Sequence, residues 1–62
     1  MISDQFFGPK RIAYVYEDNS VKFFGKTNLN LHAVKSFDEY DEACTMAKLW
    51  VDNKIEKSGL IQ

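Results

Sequence analysis

The side chains that could carry catalysis are few, and their spacing fits no catalytic motif. His32 is the one imidazole and Cys44 the one thiol in the 62 residues. His32 falls in an alternating stretch typical of a strand, and Cys44 falls in an apolar helical stripe, where cysteine usually behaves as a small buried hydrophobe. No glycine-rich phosphate loop, paired-cysteine motif or zinc-protease motif occurs. We therefore expect no catalytic residue, no metal and no cofactor, and we expect that the protein is not an enzyme.

Four acidic side chains lie close together in the sequence. A pair of carboxylates can act as general acid and general base. The four acids occupy positions 38, 39, 41 and 42 and coincide with the predicted start of a helix. The positive end of the helix dipole stabilises negative charge there. We interpret these acids as partners of the helix dipole and as solvated surface.

A C-terminal helix is the most clearly patterned element, predicted from about residue 37 to 57 within a helical segment 36–58. Ser36 and Glu39 fit the capping box, in which each side chain satisfies a backbone N–H of the other residue. Gly59 is suited to a left-handed cap before a short tail, residues 59–62. Apolar residues recur every three or four positions and form one stripe. These are Tyr40, Ala43, Cys44, Ala47, Trp50, Val51 and Ile55.

Residues 10–35 are predicted to form a three-stranded antiparallel meander, after an N-terminal arm at residues 1–9. Two runs rich in β-branched and aromatic residues flank residues 17–20, which indicates a hairpin with a loop of three to five residues. A third strand is expected near residues 29–34. The fold class is therefore α+β, one small domain with the order βββα.

The helical stripe is expected to pack on one face of this sheet. The expected partners from the sheet are Ala13, Val15, Phe23, Leu29 and Leu31. A register slip of one residue would exchange the two faces, so the choice of face depends on the pairing.

Composition and charge narrow the class of protein. With 45% apolar and 15% aromatic residues, the chain is expected to be globular. It contains no apolar run of the ~20 residues that span a bilayer, and a single cysteine fits a reducing compartment. We expect a cytoplasmic protein that does not enter membranes.

Binding to a larger host protein is the favoured function. A short, acidic chain that starts with Met and lacks catalytic machinery is typical of phage or mobile-element accessory factors, which regulate or inhibit a host protein by stoichiometric binding. The candidate contacts on the sheet are Tyr14, Tyr16, Lys22, Phe24 and Lys26. A second group on the outer helix is Met46, Leu49, Asp52 and Glu56, in which Met46 and Leu49 are expected to form an exposed apolar island.

Nucleic-acid binding through the sheet is the alternative function. Aromatic side chains near Arg11, Lys22 and Lys26 could stack on bases and meet phosphates. The order of strands and helix, with the F-D-x-x-x-E-A opening at residues 37–43, resembles integrase arm-binding domains and Apetala-type plant DNA-binding domains, which implies a transcriptional or integrase-associated role. Those domains have basic sheets, whereas this chain has a net charge of −1 and a pI near 5.7, which disfavours nucleic acid. A homodimer formed through the open face or an edge strand is a third alternative.

Overall fold

The computed structural model describes residues 1–25 and 30–56, which form a four-stranded antiparallel sheet with one helix across one face. Neighbours in the sheet are neighbours in the chain, so the strands form a meander. The predicted α+β class is confirmed. The elements are β1 (Ile2–Phe7), β2 (Arg11–Tyr16), β3 (Ser20–Gly25), β4 (Leu31–Ser36) and α1 (Tyr40–Val51).

The number of strands was underestimated, because residues 2–7 are an edge strand and not an arm. In β1, Ile2 lies opposite Tyr16 and Phe7 lies opposite Ile12. The local sequence Ser-Asp-Gln has little strand propensity, so long-range pairing with β2 decides the conformation. A register shift just after Ile2 accommodates this polar stretch within the pairing.

The β2–β3 hairpin has a three-residue loop, residues 17–19, as its sequence predicts. Asn19 adopts the left-handed region at φ 68°, which asparagine tolerates. The Asp18 carboxylate accepts hydrogen bonds from the Ser20 hydroxyl and backbone N–H at 2.6 and 3.0 Å, and these bonds lower the pKa of Asp18. The Asn19 carbonyl accepts from the Phe37 N–H at 3.0 Å, which ties this turn to the segment before the helix.

The helix is shorter than predicted at its N-terminal end. It begins at Tyr40 because Ser36 is still paired as the last residue of β4, opposite Ser20. Glu39 is the N-cap residue and makes no side-chain capping hydrogen bond. The predicted capping box is therefore wrong, since strand pairing holds Ser36 outside the helix.

The helix also ends earlier than predicted, at Val51. Asn53 takes the left-handed conformation at φ 62°, which reverses the chain. Its N–H donates to the Trp50 carbonyl at 3.0 Å, and the Lys54 N–H donates to the Leu49 carbonyl at 2.8 Å. This hydrogen-bond pair is the Schellman arrangement, with asparagine in the place usually held by glycine. The predicted cap at Gly59 lies outside the described residues.

The core lies between α1 and the face of the sheet beneath it. The predicted core members Ala13, Val15 and Phe23 are confirmed as buried. The prediction for Leu31 is wrong, because Leu31 lies exposed on the other face. The reason is a register shift in the β3–β4 pairing, which breaks the simple alternation between residues 31 and 33. Leu29 lies outside the described residues. The buried cluster consists of Ala13, Val15, Val21, Phe23, Ala43, Ala47, Trp50 and Val51.

Gly8, between β1 and β2, lies against the C-terminal end of the helix. A methyl group there would overlap the Val51 carbonyl oxygen and come within 3.0 Å of the Val51 Cβ. Because backbone blocks the space, we expect Gly8→Ala to lower the free energy of unfolding by about 1–3 kcal/mol, the usual range for overpacking. Urea unfolding followed by circular dichroism measures the effect. Lys10→Ala, an exposed change in the same connection, is the control, and equal midpoints for the two variants would contradict the close packing.

Candidate protein-binding face

The face of the sheet opposite α1 is not covered by any described residue, and we call it the open face. Side chains alternate between the two faces of a strand, so the burial of Ala13, Val15 and Phe23 under the helix places their strand neighbours on this side. The open face consists of Ile2, Gln5, Phe7, Ile12, Tyr14, Tyr16, Lys22, Phe24, Leu31 and Val34, together with Ser20 and Ser36.

One apolar row crosses all four strands of the open face. The register places Phe7 opposite Ile12, Ile12 opposite Phe24, and Phe24 opposite Leu31. Ile12, in the middle of this row, is only 6% exposed although it lies outside the helix-side core. Phe7 and Leu31 at the two ends are 64% and 53% exposed. The row thus ends in two large apolar groups that face water.

A second row lies next to the first and mixes apolar and polar groups. Tyr14 is opposite Lys22, and Lys22 is opposite Val34, which is 53% exposed. The ring of Tyr14 packs against that of Phe24 in the first row, with centroids 5.1 Å apart and planes tilted by 56°. Such diagonal aromatic pairs stabilise a sheet and hold both rings in place. The aromatic part of the open face is therefore preorganised for contact.

Lys22 carries the one charge among the described strand residues of the open face. Its Nζ lies 5.1 Å from the ring centroid of Tyr16, in a cation–π contact. The contact runs diagonally between β2 and β3, the two central strands. The ammonium group consequently lies against the surface of the central strands, on the side of Tyr16.

Four sequence-predicted contact residues, Tyr14, Tyr16, Lys22 and Phe24, therefore share one face, and Lys26 lies outside the described residues. Sequence reasoning missed Ile2, Phe7 and Val34, and it placed Leu31 in the core. Phe7 belongs to β1, which was read as an arm. Val34 could have been found from its place in the third predicted strand, on the face opposite Ala33.

The second group of candidates, on the helix, is less accessible than expected. Met46 packs against the core and Leu49 is half-buried, so the expected exposed apolar island is wrong. The chain reversal after the helix bonds back to the Leu49 carbonyl and brings later residues beside it. Asp52 is exposed and pairs with Lys48 at 3.7 Å.

Glu56 is exposed and pairs with Arg11 at 3.6 Å, and Arg11 itself serves the fold. Its guanidinium lies 4.0 Å from the ring centroid of Trp50 and donates to the carbonyls of Ile55 at 2.6 Å and Trp50 at 3.4 Å. It thus binds β2 to the segment after the helix, where a cation also suits the helix dipole. Arg11 points to the helix side and adds no charge to the open face.

Replacing Arg11 by methionine is expected to lower the free energy of unfolding by about 2 kcal/mol, since the change removes charge-assisted hydrogen bonds from partly buried carbonyls. Lys22→Met on the open face is the matched control and should shift stability by no more than about 0.5 kcal/mol. Urea unfolding of both variants gives the comparison. Equal losses would show that Arg11 does not hold the helix end.

The groups that could react are held in structural positions. His32 packs on Trp50 with ring centroids 5.6 Å apart, and Cys44 is half-buried, where burial raises the pKa of its thiol. Within residues 1–25 and 30–56 there is no cluster of three metal-ligating side chains and no pocket. In the same ranges no helix has the length and apolar character required to cross a bilayer.

The open face thus carries the exposed large apolar side chains Ile2, Phe7, Leu31 and Val34. Comparisons with protein families, with curated proteins and with solved structures find no match to this chain.

Proposed function

We propose that this chain is a small non-enzymatic module that binds a larger host protein through its open face and regulates or inhibits that protein by occupying its surface. The observation that carries the proposal is the exposure of Phe7, Leu31 and Val34 beside a fixed pair of aromatic rings. Covering such groups removes apolar area from water, which is the main driving force of association. Aromatic side chains are also enriched where binding energy concentrates.

The size of the open face suits a small, one-to-one contact. Its four strands, ~4.8 Å apart and ~20 Å long, give a footprint of roughly 380 Å². This area is about half of the ~800 Å² that a specific interface of standard size buries on each partner. Contacts made by loop residues around the sheet would add to it. We therefore expect stoichiometric binding to one partner, as a cytoplasmic accessory factor of phage or mobile-element type.

Nucleic-acid binding is the second candidate, favoured by the contact of Lys22 with Tyr16 and by the adjacent aromatic pair. The positions of the positive charges favour nucleic-acid binding less than protein binding. Arg11 is engaged at the helix end, and Lys35 lies over the Phe37 ring on the helix side, with Nζ 5.8 Å from the centroid. Neutralisation of phosphates dominates the affinity for nucleic acid. One lysine on the described strands of the open face therefore gives little support for nucleic-acid binding.

A pull-down with the tagged chain, with and without nuclease, separates these two functions. Lysate of the native host is passed over the immobilised chain, and bound proteins are identified by mass spectrometry. The proposal predicts one dominant protein, in about equal molar amount to the chain, that survives nuclease. Recovery of material that nuclease removes would instead support nucleic-acid binding.

A further inference from the structure

We infer that the segment bound by the open face is an amphipathic helix of about three turns, whose apolar stripe is flanked by a carboxylate that reaches Lys22. The inference rests on the proposed function and specifies the chemistry of the partner. Two observations carry it, namely the way the chain already covers the other face of the same sheet, and the single charge placed on this one.

The helix α1 shows what fits a sheet of these dimensions. Its 12 residues pack on β1, β2 and β3 of the opposite face, and its buried residues recur in helical spacing at positions 43, 47, 50 and 51. Both faces are built on the same four strands and have the same length and width. A second helix of similar length would complete the three-layer arrangement of a sheet between helices. The apolar row of the open face supplies the surface on which its stripe would pack.

The position of Lys22 determines the charge of that helix. Lys22 lies on a central strand between Tyr14 and Val34, so a partner that covers the face also removes water from the ammonium group. Burying a charge without a counter-charge is costly, whereas a hydrogen-bonded carboxylate offsets much of that cost. A glutamate or aspartate beside the apolar stripe therefore complements this face.

A second copy of the chain complements the open face less well than an acidic helix does. In a two-fold dimer formed face to face, a residue near the centre lies close to its own symmetry mate. The two Lys22 ammonium groups would then approach each other in a partly dry interface, where like charges repel strongly. None of the described strand residues of the open face supplies a carboxylate to separate them. The charge thus favours a different protein over self-association.

A displayed peptide library tests the inference. The library holds 16-residue sequences with Leu, Ile, Phe or Met at helical spacing and all other positions randomised. It is selected against the wild type, Lys22→Glu and Leu31→Asp, each first shown to be folded by circular dichroism. We expect wild-type ligands to carry Asp or Glu beside the stripe at least five times as often as Lys or Arg. Lys22→Glu should reverse this preference, and Leu31→Asp should enrich no ligands.

Three results would overturn the inference. They are no enrichment by the wild type, an acidic preference that persists in Lys22→Glu, and ligands that bind Leu31→Asp equally well. Analytical ultracentrifugation adds a fourth, because a wild-type dimer that Leu31→Asp dissociates would make a second copy the occupant. The lysate pull-down is independent of the library. A partner captured there despite a failed selection would leave the proposed function standing and exclude only the acidic helix.

Discussion

Replacement of Trp50 by alanine is expected to leave much of the chain unfolded at 25 °C. The indole is buried, meets Phe23 edge-on at 5.5 Å between centroids, and donates from Nε1 to the Phe24 carbonyl at 3.2 Å. Arg11 covers the ring from a third side. Removal of such a side chain costs about 3–5 kcal/mol, whereas a domain of this length has only about 3–9 kcal/mol of stability.

Urea unfolding, followed by far-ultraviolet circular dichroism, measures this loss. Leu49→Ala, a half-buried change next to Trp50 in the helix, is the control and should cost roughly 1 kcal/mol, because it leaves a smaller cavity at the edge. A cooperative transition of Trp50→Ala near the wild-type midpoint would contradict the packing described here.

Leu31→Asp is expected to weaken binding of the partner protein at least 100-fold while leaving the domain folded. Leu31 is half exposed at the edge of the apolar row, so water solvates an aspartate there in the free chain. In the complex the same carboxylate would be covered next to Phe24 and would lose its water. The loss should therefore appear in affinity and not in stability.

Thr45→Asp is the matched control, since it adds the same charge at an exposed position on α1, away from the open face. Binding of both variants to the protein recovered in the pull-down can be measured by isothermal titration calorimetry. Loss of binding in Thr45→Asp with retention in Leu31→Asp would move the interface to the helix.

The strands that could be predicted from the sequence are those whose own residues favour extended backbone. In β2 and β3 the β-branched and aromatic residues alternate, and Asp18 and Asn19 supply the turn, so local preference and pairing agree. In β1 the residues from Ser3 to Gln5 favour no structure, and only pairing with β2 makes them a strand. Local pattern cannot reveal an element that exists through long-range contact.

The candidate site was predictable to the extent that strand alternation is regular. Tyr14 and Phe24 could be placed on one face from the period of two, and the structure places them in ring contact. Leu31 was assigned to the core because the register shift in the β3–β4 pairing is invisible in the sequence. The ends of the helix could not be predicted from the sequence either. Strand pairing of Ser36 delays its start, and the left-handed conformation of Asn53 ends it.

The claim that the open face is the interface is tested most directly by nuclear magnetic resonance. The isotope-labelled chain is titrated with the protein recovered in the pull-down, and backbone amide shifts are followed. We predict that the largest changes fall on the central strands and β4, around Tyr14, Lys22 and Val34. Changes confined to the exposed side of α1, around Asp41 and Lys48, would contradict the account.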